Sequence, residues 1–81
     1  MSGQGIVDPY AEAAALIARL NAMGRTPEAA RLQDAIDSGS TGTEVFMALR
    51  WHLRSMLEGN LQEDVEAKAS ALEAYLAKAL R

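Results

Sequence analysis

The sequence predicts an all-α fold, a compact bundle of four helices over about 9–23, 27–37, 43–58 and 61–80, with the third helix in the middle. Three observations predict it. Helix-opening signals recur four times: Asp8 before Pro9, Thr26 before Pro27, Thr41 three residues ahead of Glu44, and Asn60 three residues ahead of Glu63. After each of them, apolar residues return at three- and four-residue spacing, the period of a helix with one buried face. Gly24, the pair Ser38 and Gly39, and Gly59 supply the stops, with Gly59 offering a left-handed one.

Met1 to Val7 shows no periodicity and reads as a flexible lead-in, with Ile6 and Val7 docking at its end; residues 8–81 read as one helical domain. In the first helix Tyr10, Ala13, Leu16, Ile17, Leu20 and Met23 share a broad apolar face. The other side is mostly small: Ala11, Ala15, Ala18 and Ala22 follow helical spacing. Alanine is the best intrinsic helix former and is common on wet faces, but a small-residue stripe also permits close approach of another helix, from this chain or from a second copy.

A turn of two or three residues leads into the second helix, so the two should form a hairpin, in which Ala29, Leu32 and Ile36 make a narrow apolar stripe. The stretch LNAMGRTPEAARLQDAI, through Leu20, Gly24, Glu28, Ala29, Leu32, Ala35 and Ile36, resembles the inter-helix segment of a tetratricopeptide repeat. No second copy follows at a spacing of about 34 residues, so the resemblance implies a way of turning one helix into the next and no solenoid.

The third helix carries the only Trp, Phe and His of the chain. Val45, Phe46, Leu49, Leu53, Met56 and Leu57 fall on one arc, the expected core face. Met47 and Trp51 lie off it, four residues apart, among Glu44, Arg54 and Glu58. Two readings compete: the helix is contacted on two sides within its own fold, or the pair anchors a contact with another protein. His52, at the margin of the arc, reads as a structural side chain, because neither an orienting acid nor metal-ligand companions accompany it. Arg50 and Arg54 form a small positive patch. The last helix is expected to bury Leu61, Val65, Ala69, Leu72, Leu76, Ala79 and Leu80, with Tyr75 at the edge and Glu63, Asp64 and Glu66 complementing its dipole.

Composition narrows the function. At 81 residues the chain has a thin core, and with no Cys and one His it has neither a disulfide staple nor the usual zinc ligands. Side chains of both signs are interspersed to a net charge of −3, which argues against nucleic acid as the main partner, although Arg50 and Arg54 would be the residues to carry it. The DSGSTGT segment lacks the lysine of a phosphate loop, and no Glu precedes His52 at the spacing of a di-metal bundle. No cofactor, metal, small-molecule substrate or catalytic residue is expected, nor a membrane partner, since the longest strongly apolar run, Ala13 to Ala18, is too short to span a bilayer. The expectation is a cytoplasmic, non-enzymatic interaction module that pairs with itself as a homodimer or serves as an accessory subunit. Its candidate surface comprises Met47, Arg50, Trp51, Arg54, Ala11, Ala15, Ala18 and Ala22. The alternative is an acidic regulator or inhibitor, immunity- or antitoxin-like in size and charge, that binds a basic protein through Glu63, Asp64 and Glu66.

Overall fold

A computed structural model describes Ile6 and residues 8–81. The lead-in expected over residues 1–7 lies outside the described residues except for Ile6, which packs half-buried against the core. Four helices follow: α1 (Pro9–Ala22), α2 (Thr26–Ser38), α3 (Gly42–Leu57) and α4 (Glu63–Ala79). They form a ring in chain order. α1 packs on α2 and α4, α3 packs on α2 and α4, and α1 and α3 stand at opposite corners.

The capping chemistry at two starts is as expected. Asp8 accepts from the amides of Tyr10 (3.0 Å) and Ala11 (3.3 Å), and Thr41 Oγ1 accepts from the amide of Glu44 (3.1 Å). The Glu44 carboxylate reaches back one residue further than in a standard capping box, accepting from the Ser40 amide at 2.9 Å. α1 ends in a Schellman turn: Gly24 takes φ +80°, the Arg25 amide donates to the Leu20 carbonyl (2.8 Å) and the Gly24 amide to that of Asn21 (3.1 Å).

Three expected termini differ. α2 starts at Thr26 itself, with Arg25 in the cap position and no side-chain cap, so the hydroxyl expected to cap it is already inside the helix. α3 does not close on a left-handed Gly59. Its last turn tightens instead, with the Glu58 and Gly59 amides donating to the Ser55 and Met56 carbonyls, three residues back. Asn60 does not cap α4, which opens two residues later after Gln62; the Asn60 carbonyl instead accepts from Arg25 Nη2 at 2.6 Å. Arg25 thereby joins the α1–α2 turn to the α3–α4 connection at one end of the bundle.

The core is aliphatic. Leu16, Leu20, Leu32, Leu49, Leu53, Val65, Leu72 and Leu76 are fully buried, and Ala13, Ala29, Ala35 and Ala69 are buried with them. No polar or charged side chain among the described residues is buried. Ala35 takes the inward position on α2 that Ile36 was expected to hold; Ile36 is half-buried, as are Met23, Phe46, Met56, Leu57, Leu61 and Leu80, while Ala79 is exposed. None of the four aromatic rings enters the buried core. Tyr10 stands partly out of the α1 face and packs against Phe46 across the ring diagonal, centroids 6.0 Å apart. No described helix is long and apolar enough to cross a membrane.

Candidate interaction surface

On α3 the buried positions Val45, Leu49 and Leu53 recur every four residues and turn the opposite side of the helix to solvent. Met47 and Trp51 occupy that opposite side. Trp51 is 68% exposed and Met47 57%, so although α2 and α4 both pack on α3, neither covers this side, and the expectation that the chain's own fold buries the pair does not hold. Fully burying a side chain of this size contributes about 2 kcal/mol, more than half of which the isolated chain forgoes at each position.

Three adjoining grooves meet at Trp51. The largest, about 330 Å³, runs between α2 and α3 and is bordered by Arg25, Glu28 and Arg31 on one side and by His52, Ser55 and Met56 on the other. A second, about 280 Å³, lies along Arg54, Ser55 and Glu58. The third, about 190 Å³, is framed by Met47, Arg50, Arg54 and Leu80. The indole is therefore a ridge with a trough on either side, held edge-on to the His52 ring at 5.3 Å and 88°. His52 is half-buried and, among the described residues, no hydrogen bond orients its ring, so it packs against the indole and lacks the tethering of a general base.

The surface has an electrostatic character of its own. Four of the eight basic side chains, Arg25, Arg31, Arg50 and Arg54, and two of the eleven acidic ones, Glu28 and Glu58, border the three grooves, a local charge of +2. The remaining four basic and nine acidic side chains leave −5 on the rest of the molecule. The basic groups are all arginine, whose planar guanidinium suits interfaces better than the strongly hydrated ammonium of lysine. Arg25 Nη1 is paired with Glu28 (3.0 Å), and Arg50 Nε with Glu73 of α4 (2.9 Å), which fixes both groups within the fold. Arg54 makes no ion pair among the described residues.

The other expected half of the surface lies elsewhere. Ala11, Ala15, Ala18 and Ala22 are all exposed, so no helix of this chain covers the alanine stripe, and α1 is diagonal to α3 in the ring. The stripe and the Trp51 ridge are two separate faces. Of the acidic cluster at the start of α4, Asp64 is bound by Arg19 Nε of α1 at 2.9 Å, and that guanidinium holds its carboxyl below the usual range, while Glu63 and Glu66 are exposed. No three His, Asp or Glu side chains among the described residues converge in a way that could hold a metal ion.

Arg25 and Arg31 were missed in the reading of the sequence. They belong to the α1–α2 turn and to α2, and reach the ridge only because α2 packs beside α3; no local signal records that neighbour relation. No protein-family model, curated protein or solved structure matches the chain.

Proposed function

We propose that this chain is a small helical protein-interaction module that works through the Trp51 face of α3, as a self-associating unit or an accessory subunit, and carries out no chemistry of its own. One observation supports it above the others: the largest side chain of the protein and a flexible thioether stand side by side in solvent, ringed by arginines, on a fold whose core takes none of its aromatic rings. Trp, Met and Arg are the residues enriched at the centres of protein interfaces, and grooves on both sides of an indole offer the pockets that a complementary surface fills.

Solution mass by light scattering, recorded with Trp51 fluorescence across a concentration series, tests this reading. Association is expected to move the emission to the blue, and Trp51→Ala, which removes the reporter itself, is expected to abolish the rise in mass while leaving helix content intact. A protein that stays monomeric, with its indole emission already blue at high dilution, would remove the reading's support.

A second reading rests on the −5 carried by the rest of the surface: an acidic regulator that docks a basic protein through the exposed Glu63 and Glu66. It requires those acids and not Trp51, so Glu63→Gln with Glu66→Gln would abolish partner binding, whereas Trp51→Ala would not.

A further inference from the structure

The outer face of α3 carries a stripe whose order is its own complement. Glu44, Met47, Trp51 and Arg54 are all exposed and follow one another at intervals of three, four and three residues, so they lie within an arc of about 80° along the helix. This is the alternation of a coiled-coil seam, reduced to an acid, two apolar residues and a base. Met47 and Trp51 each lie two residues from Leu49, and Glu44 and Arg54 each lie five residues from it.

We infer that the Trp51 face pairs with a second copy of this chain, α3 against α3 in antiparallel fashion, about a two-fold axis crossing at the level of Leu49. The inference rests on the interaction reading above and names the partner. In this register Met47 packs on Trp51 of the second copy, and Glu44 faces Arg54 of the second copy, each contact occurring twice by symmetry. Apolar match and charge match arise from the same alignment. Glu58 then lies opposite residue 40 of the second copy, beside the N-terminal end of its α3, where the helix dipole favours an acid. A register with the axis at Trp51 would stack the two indoles but would set Glu44 against Glu58, like charge on like.

The intramolecular contacts agree with the axis at Leu49. Arg50 is paired with Glu73 and Arg25 with Glu28, whereas Arg54, the one cation of the stripe, has no ion pair among the described residues, and pairing of two copies supplies one. Glu44 accepts from the Ser40 amide through one carboxylate oxygen and has the other free for a guanidinium. α3, at 16 residues, presents a seam about 24 Å long, flanked by the troughs beside Leu80 and between α2 and α3.

Charge exchange in the 81-residue chain, followed by sedimentation velocity and Trp51 emission, tests the register. Arg54→Glu and Glu44→Arg should each weaken self-association about tenfold or more, since each sets like charges opposite at two places in the dimer. An equimolar mixture of the two variants should associate at least as tightly as the native chain, because only the mixed pair restores opposite charges at both. Should Glu44→Arg disturb the cap and lower helix content, the double variant Glu44→Gln with Arg54→Glu serves instead. The glutamine keeps an acceptor for the Ser40 amide, and the double variant should associate more tightly than Arg54→Glu alone. Residues ten apart on one helix are about 15 Å distant, beyond the screening length at physiological salt, so this rescue must act between copies.

If the native chain associates and Trp51→Ala abolishes it, but neither the mixture nor the double variant recovers association, the antiparallel register is wrong and the interaction reading stands. If the native chain remains monomeric with an exposed indole, self-pairing is wrong and the ridge belongs to a different protein. If association survives Trp51→Ala, both readings fail together.

Discussion

Gly39 offers a sharp test of how tightly the α2–α3 corner is built. Its backbone, φ −72° and ψ 134°, is open to any residue, so dihedral strain plays no part in what a substitution there would do. Space decides. A Cβ added at Gly39 would lie 3.0 Å from the Val45 backbone nitrogen and 3.2 Å from its Cα, and closer still to its Cγ2. Val45 cannot yield easily: its side chain is buried, a β-branched residue in a helix is held to one rotamer, and its amide donates to the Thr41 carbonyl at 3.0 Å. Gly39→Ala must therefore lift the loop away from the first turn of α3 and loosen the Thr41 cap. Overpacking of this kind costs about 1–3 kcal/mol, and the lower chain entropy of alanine in the unfolded state returns about 0.4–1 kcal/mol. The difference spans about 0–2.6 kcal/mol, and its mid-range of about 1.3 kcal/mol is a fall in Tm of about 5–10 °C for a domain of this size. Thermal unfolding followed by circular dichroism measures it. Val45→Ala alone should cost about 1–3 kcal/mol for the lost methyl groups, but with Gly39→Ala it should relieve part of the clash, so the double variant should lose less than the sum of the two. A Gly39→Ala protein with an unchanged or raised Tm, or strict additivity with Val45→Ala, would refute the packing described for this corner.

Gly24 is the opposite case, with φ +80° and nothing within 4 Å of an added Cβ, so Gly24→Ala should cost about 1 kcal/mol from backbone strain alone, read as a lower urea midpoint at unchanged slope. The Arg50–Glu73 pair is half-exposed, and a double-mutant cycle with alanine at each position should return a coupling of about 0.5–1 kcal/mol that shrinks on adding salt. Asp64 has its carboxyl pKa lowered in the folded state by Arg19, so its contribution is present above the unfolded value of 3.8 and is lost as pH falls through the folded value. The stability gap between the native chain and Asp64→Asn should accordingly close as the pH falls below about 5 and through the lowered folded pKa, and a gap that widened with acid would reverse the sign of the assignment.

The fold was legible because most of what specifies it is local. Asp8 and Thr41 cap their helices through bonds that span two or three residues, Gly24 supplies the one left-handed turn among the described residues, and the leucines at helical spacing are the ones that fill the core. The shifted ends at Thr26 and Gly59 are local choices between neighbouring turns, whereas the other errors fall where distant residues intervene. Asn60 has the right neighbours for a cap, but its carbonyl is held by Arg25, 35 residues earlier, and the helix starts later. Spacing alone placed Met47 and Trp51 off the core face. Whether anything covers that side depends on where α2 and α4 lie, and the ring leaves it bare. The same packing pairs Arg50 with Glu73 while leaving it at the groove edge, and brings Arg31 in from α2. Charge segregation is thus a property of the fold and cannot be read from a sequence in which the signs alternate.

The order of the ring also has a kinetic consequence. Three of its four seams join chain neighbours through connections of three, three and five residues, contacts that a searching chain reaches with little loss of entropy. The seam between α1 and α4 is different: its Arg19–Asp64 bridge ties residues 45 apart and must wait until both hairpins exist. The bundle should therefore fold rapidly with that seam closing last, and the same seam should open first in native fluctuations. Amide hydrogen exchange reads this directly, with faster exchange expected along α1 than along α3.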